Sequence, residues 1–384
     1  MNRGKALKLG LSSMLLGSML MAGGAYTAEA APSYGYMDLK ESRTYVPIRY
    51  LSEQLKYKVH WDAGQSSILV TQGNTKVELT VGSKKAKIND KPYTLDAVPF
   101  SKGGVTYVPI RFVADAMNLA LKWDANSSTL VFQGEKGPLQ LPVVSTARQI
   151  AANPISSKSR TIKTGKRSYS INLVEVDLLH PKISLGVGVA NQRVGSVASL
   201  KAMAEQNGAA AAMNGTFFNA YTDSDVKVPY GYIVQNGKIA YKSPGDKRSI
   251  LVFTKQNHVE VIDGKDFQER FDAGDVEGAL QAGPRLVRDG KVAVDPVTEG
   301  FKDPKILSNG GARSAVGITK DQKLILVTVP SATIPELAHI MKQAGAYQAM
   351  NLDGGASSGL YVKGKYVTTP GRSLSNSFLI FQNK

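Results

Sequence analysis

Residues 349–359 read Ala-Met-Asn-Leu-Asp-Gly-Gly-Ala-Ser-Ser-Gly and hold the clearest chemical potential in the chain. An apolar approach, predicted as a strand, ends on two polar side chains, Asn351 and Asp353. Gly354 and Gly355 follow at once, then the hydroxyls of Ser357 and Ser358. Glycines at a strand end let the backbone turn through positive φ and bring free N–H groups close to an anion. A carboxylate placed there can serve as nucleophile or base. Two readings fit. One is a tight polar turn, since Asp-Gly is a common hairpin signal. The other is a site, favoured by the extra asparagine, the second glycine and the paired serines.

The segment has a counterpart upstream. Leu200 to Asn214 aligns without gaps on Leu337 to Asn351, with Leu, Gln, Gly, Ala, Ala, Met and Asn coinciding. Each copy reads as a helix stopped by a glycine, Gly208 or Gly345, then a short apolar strand ending in Met-Asn. If the two units are related, their strand ends lie side by side and bring Asn214 and Asp353 to one cleft. Convergence on ordinary helix–strand grammar explains the same seven matches.

At 384 residues the chain has room for two domains with separate cores. Residues 1–30 read as a signal peptide: Arg3, Lys5 and Lys8, an apolar run from Leu9 to Met21, then Ala28-Glu29-Ala30 as a cleavage site. That run is short for a membrane span and no later stretch qualifies, so no transmembrane anchor is expected. The expected location is secreted or cell-wall associated. Cysteine is absent, which excludes disulfides, thiol catalysis and thiolate metal sites. The formal charge is +16, and the leader carries three basic residues against one acidic, leaving about +14. Such a charge favours anionic polymers. For an exported chain these are wall or exopolysaccharide glycans rather than nucleic acid.

The first domain, residues 31–134, is a duplication by sequence. Tyr45-Val46-Pro47-Ile48-Arg49 recurs as Tyr107-Val108-Pro109-Ile110-Arg111, and Trp61-Asp62-Ala63 as Trp123-Asp124-Ala125. Each unit reads strand, helix, hairpin. From about Ser42 to Gln133 this closely resembles the copper amine oxidase N-terminal-like domain. The name implies copper; one histidine, His60, does not. The domain is expected to be an accessory adhesion or spacing module, with Arg49 and Arg111 in structural ion pairs. Residues 135–159, marked by Pro138, Pro142 and Pro154, read as a linker.

Residues 160–384 alternate as strands, with hairpin signals at Asn236-Gly237, Asp289-Gly290 and Lys363-Gly364. The expected class is α+β: a small duplicated domain followed by a larger mixed β-sheet domain with flanking helices. Five ordered motifs now define a resemblance. They are Asn214-Gly215-Thr216-Phe217-Phe218, Ala282 to Val287 with Asp289-Gly290-Lys291, Ala312 to Gly317, Asn351 to Gly355, and Arg372 with Asn376. Together they resemble the phosphodiester glycosidase family, which includes the catalytic domain of the lysosomal N-acetylglucosamine-1-phosphodiester α-N-acetylglucosaminidase. Ala356 stands where the family pattern usually has a third glycine.

The resemblance implies cleavage of a sugar-1-phosphodiester at the anomeric carbon. A phosphate monoester leaves more readily than a sugar alkoxide, so the demand for a general acid is weak. Asp353 is then the reactive carboxylate, with Arg313 and Asn214 beside it. Arg372 and Arg285 are further phosphate clamps. Asn351 and Asn376 are expected to hold sugar hydroxyls, Gly354, Gly355 and Ser357 to line the loop, and Phe217 to stack or to pack in the core. His180, His258 and His339 lie far apart, against a histidine-rich dinuclear centre. No cofactor is required, and the metal is unknown, with Ca²⁺ or Mg²⁺ beside Asp353 left open. The rival reading is a non-catalytic protein that binds cell-wall glycan or exopolysaccharide. A third, a two-carboxylate glycosidase, would draw on Asp223 or Asp225.

Overall fold

The computed structural model describes residues 34–102, 104–124, 129–134, 137–145 and 153–383. The expected signal peptide lies outside them. Strands hold 48% of the chain and helices 15%, so the protein is mostly β. Among the described residues no helix is long and apolar enough to cross a membrane.

Both Tyr-Val-Pro-Ile-Arg motifs run from strand into helix: Arg43–Pro47 into Ile48–Gln54, and Val105–Pro109 into Ile110–Met117. In the hairpins that follow, Trp61 pairs with Ile68 and Trp123 with Leu130. The two hairpins then differ. The first opens a separate five-stranded sheet, and the second joins the seven-stranded sheet that holds both motif strands. Val46, Leu51, Val108, Phe112 and Phe132 fill the core between. Arg111 lies 3.8 Å from Asp96, while exposed Arg49 has no ion pair among the described residues. His60 is exposed on its strand.

The expected linker contains two strands. Gly137–Ser145 pairs antiparallel with Thr129–Gly134 and parallel with Gly35–Asp38. Its prolines are tolerated because the parallel ladder begins only at Val143, leaving one edge unpaired beside Pro138 and Pro142. Leu141 and Val143 alternate into the core. Ile155–Thr164 is the edge strand of the next large sheet.

The second unit has three antiparallel sheets, the largely antiparallel form of the mixed or largely antiparallel sheet that its strand pattern implies. The largest runs Ile155–Thr164, Arg167–Asp177, Lys323–Ala332, Gly311–Thr319, Ala346–Asn351, Arg285–Arg288, Lys291–Val292. A five-stranded sheet runs Ile183–Val189, Asn376–Gln382, Ala211–Asn214, Leu360–Val362, Lys365–Thr368. The third has Val276–Gln281 at its centre. All three send apolar side chains into one shared core, among them Leu326 and Met350, Met213 and Phe378, Leu251 and Leu280.

Helix Ile334–Gln343 covers the other face of the largest sheet, with Leu337, Ala338, Ile340 and Met341 buried at helical spacing. Thr333 and Glu336 form a reciprocal capping box at its start, an arrangement whose loss costs about 1 kcal/mol. Truncating Met341 to alanine would cost about 2–5 kcal/mol. Gly345, and Gly208 after helix Leu200–Gln206, take φ of +104° and +68° and stop the helices as the sequence predicts. Asn236-Gly237, Asp289-Gly290 and Lys363-Gly364 have positive φ at both residues, as tight hairpin turns require. Two short helices, Phe267–Asp272 and Pro304–Leu307, carry too little periodicity to be read from sequence.

Candidate active site

The two Met-Asn strand ends belong to different sheets and meet where the sheets converge. Asn214 ends its strand fully buried, with both its amide oxygen and its amide nitrogen in hydrogen bonds. Its Oδ1 accepts from Ser314 Oγ at 2.7 Å and from the Gly359 N–H at 3.0 Å. Its Nδ2 donates to the Asp353 carbonyl at 2.6 Å. The Asp353 N–H in turn donates to the Gly215 carbonyl at 3.1 Å. Asn376 is equally engaged: its Oδ1 accepts from the Thr216 N–H at 2.9 Å, and its Nδ2 donates to Thr216 Oγ1 and Ser375 Oγ, each at 2.8 Å. A Cβ on Gly215 would lie 2.0 Å from Asn376 Oδ1, so only glycine fits there. Asn376 has no amide hydrogen left for a sugar, and Asn214 is fully buried. Both side chains hold loops in place, Asn214 beside Asp353 and Asn376 beside Thr216.

Asp353 is held by its own backbone, and the residue as a whole is half-buried. The Gly354 N–H donates to Oδ1 at 2.9 Å, and Ser357 supplies a hydroxyl. Protein crowds every other side, and this desolvation pushes the pKa up to about 7, against the two hydrogen bonds and the Arg372 charge, which pull it down. Gly354 must be small, because an added Cβ would lie 3.0 Å from the Ala312 carbonyl and 3.6 Å from Arg313 Nη1.

Arg313 is 4% exposed and stretches between three main-chain carbonyls. Its Nε donates to Ala332 at 2.9 Å, and Nη2 donates to Lys305 at 2.6 Å and Asn309 at 2.7 Å. Among the described residues no carboxylate pairs with it, and burial lowers its pKa without any opposing acid. Nη1 is thus left toward the Gly354 loop. Arg372 approaches Asp353 from the other side, donating to Tyr221 Oη at 2.6 Å with its guanidinium 4.7 Å from that ring. Lys305 Nζ stands 5.6 Å from the same ring. Tyr221 is 78% exposed, and its pKa is lowered first by the Arg372 hydrogen bond. Sequence reasoning missed Tyr221, which lies outside the motif pattern.

Arg285 does not join this group. Its Nη2 donates to the Val261 carbonyl at 2.7 Å and lies 3.3 Å from Asp263, in a separate cleft of about 780 Å³. Asn351 is sealed beneath the loop, its Nδ2 donating to the Gly283 carbonyl at 2.8 Å and its Oδ1 buried without a partner. Phe217 is core-like, edge-on to Phe301 at 6.0 Å. Ser357 is buried against Asp353, and Gly355 is exposed at φ +59°. Asp223 and Asp225 are exposed on the loop after Asn214. The other carboxyl raised by burial, Glu299, accepts the N–H groups of Ser249 and Arg285, each at 2.7 Å. Among the described residues no group of three or more His, Asp or Glu side chains is placed to hold a metal ion.

Comparison with known proteins places the chain's two units in families. Residues 207–381 match the phosphodiester glycosidase family model, and residues 23–132 match the copper amine oxidase N-terminal domain. The chain therefore carries a phosphodiester glycosidase domain behind a copper amine oxidase N-terminal domain, and the match supports a glycosidase-type hydrolase. No curated protein matches the chain. Among solved structures, a hypothetical protein from Synechocystis has 14% identity and a TM-score of 0.51, over 91% of this chain and 96% of that one. The zebrafish N-acetylglucosamine-1-phosphodiester alpha-N-acetylglucosaminidase catalytic domain, auto-inhibited by its pro-peptide, has 19% identity and a TM-score of 0.50, over 60% of this chain and 85% of that one. At these identities both likenesses concern the fold.

Proposed function

We propose that the second unit hydrolyses sugar-1-phosphodiester linkages of the N-acetylglucosamine-1-phosphate type in extracellular or cell-wall glycans. The observation that carries this reading is Arg313. A buried guanidinium without an acid partner is costly, and an incoming anion relieves that cost. Its free nitrogen faces the loop that presents Asp353. The phosphodiester would lie against Arg313 and Arg372, with the anomeric carbon at the carboxylate. In the simplest scheme Asp353 accepts a proton from water as the water oxygen bonds to C1. The C1–O bond breaks, and its electron pair leaves with the phosphate monoester. Direct attack by Asp353 on C1, followed by hydrolysis of the glycosyl ester, uses the same residues.

A pure binding site leaves Asp353 without a role, since a carboxylate beside the anion weakens binding. The test is turnover of UDP-N-acetylglucosamine and of p-nitrophenyl phosphodiester and glycoside substrates by the full chain, with and without chelator. Asp353→Asn should lower kcat about 10³-fold or more while substrate still binds. Arg313→Ala should weaken binding as well as turnover. A folded Asp353→Asn protein that keeps more than about a tenth of wild-type kcat moves the chemistry to another carboxylate, and a wild-type chain that binds these substrates without turnover favours the binding-protein reading.

A further inference from the structure

The loop from Gly215 to Tyr232 leaves four large apolar side chains in solvent: Tyr221 at 78% exposure, Val226 at 46%, Val228 at 38% and Tyr230 at 45%. Exposed apolar side chains clustered on one loop mark a contact surface. Beside Tyr230 opens a cleft of about 360 Å³. Tyr230, Tyr241 and Phe301 give it rings; Arg248, Lys302 and Ser243 give it polar groups. Arg248 is fixed by a two-toothed pair with Asp246, and its guanidinium stands 5.8 Å from the Phe217 ring and 5.9 Å from Phe301. This wall is rigid before any ligand arrives. Lys302 is exposed and has no carboxylate partner among the described residues. The cleft's one carboxylate, Asp303, is occupied in capping the Lys305 N–H at 2.9 Å.

The backbone beside the cleft is tied to the Asp353 loop through a short run of main chain. The Tyr230 N–H donates to the Phe217 carbonyl at 2.8 Å, and the Gly215 carbonyl accepts from Asp353. Phe217 is two positions beyond Gly215, at most about 7 Å of chain. On the far side, Lys305 shares its short helix with the carbonyl that holds Arg313. None of the cleft side chains enters the chemistry assigned to Asp353.

We propose that this cleft is a second sugar-binding subsite, taking the unit across the phosphodiester from the sugar cut at Asp353, in an anionic glycan of phosphate-bridged repeats. The proposal rests on the hydrolase reading for its direction. Sugar rings present apolar C–H faces that lie on aromatic side chains and polar edges that reach charged groups, and the cleft offers both. Its unpaired cation and the protein's net positive charge select a polymer of negative sign.

The experiment measures binding by calorimetry to full-length Asp353→Asn protein, which removes cleavage. The probes are synthetic N-acetylglucosamine-1-phosphate oligomers of one, two and four repeats, with an uncharged chito-oligosaccharide of equal length as control. The expected result is a gain of at least about tenfold from one repeat to two, worth about 1.4 kcal/mol. Adding Tyr230→Ala and Lys302→Ala should remove most of that gain, with circular dichroism confirming the fold. Equal affinity for one and two repeats, a gain that survives both substitutions, or the same gain for the uncharged chain would each overturn the subsite. Turnover by the wild-type protein is scored separately. A length-dependent gain without turnover keeps the subsite and sinks the hydrolase reading alone.

Discussion

The Asn214 side chain donates a 2.6 Å hydrogen bond to the main-chain carbonyl of Asp353, tying the end of one sheet to the reactive end of another. The same amide also receives Ser314 and Gly359. Asn214→Ala would strand three buried polar groups, at about 1–3 kcal/mol each. We expect a loss of about 3 kcal/mol or more in urea-unfolding stability, with activity falling because the Asp353 loop is released. A variant within 1 kcal/mol of wild type on this scale would show that the tie is replaceable.

Asp353 makes stability depend on pH in a defined direction. Its folded pKa of about 7 lies above its ordinary 3.8, so the native state keeps a proton that the unfolded chain releases. Stability therefore falls as pH rises from about 4 to 7 and then levels. Asp353→Asn lacks this penalty. It should melt higher than wild type at pH 8 and converge with it below pH 4, as thermal scans across the range will show.

Activity should rise with pH over the same window if the ionised carboxylate reacts. The kcat/KM profile is expected to show a limb near pH 7 for the free enzyme. Arg372 lowers that pKa by its charge. Arg372→Ala should therefore move the limb to higher pH, besides weakening binding. A profile that falls through pH 7 would instead make Asp353 a proton donor.

Arg313→Lys is not conservative here. One ammonium cannot span the carbonyls of Lys305, Asn309 and Ala332 while leaving a nitrogen for the anion. KM for the phosphodiester should rise about tenfold or more, as steady-state kinetics would record. An unchanged KM would place the phosphate elsewhere.

The sequence showed where the chain turns. Gly208, Gly345 and the three residue–glycine hairpins speak through local backbone preference, and they stand as predicted. Arg313 and Arg372 also reach the Asp353 loop. The roles of Asn214, Asn376 and Asn351 were not legible, because a buried amide that holds a loop and an exposed one that holds a sugar look alike in sequence. Arg285 turned aside for the same reason: its direction is decided by Val261 and Asp263, on another sheet and a loop. Tyr221 matters only through Arg372, 151 residues away. Proline and glycine misled over 137–145, where an unpaired strand edge accepts them.

The parallel ladder between Gly35–Asp38 and Gly137–Ser145 has a mechanical consequence. These two strands carry the chain into and out of the first unit, side by side and pointing the same way. Tension drawn between the chain before Gly35 and the chain after Ser145 pulls them past one another along their length. The ladder bonds then share the load together, whereas a hairpin peeled from its end breaks them one at a time. Pulled in this way, the first unit meets tension in shear, the direction in which its terminal ladder resists opening most.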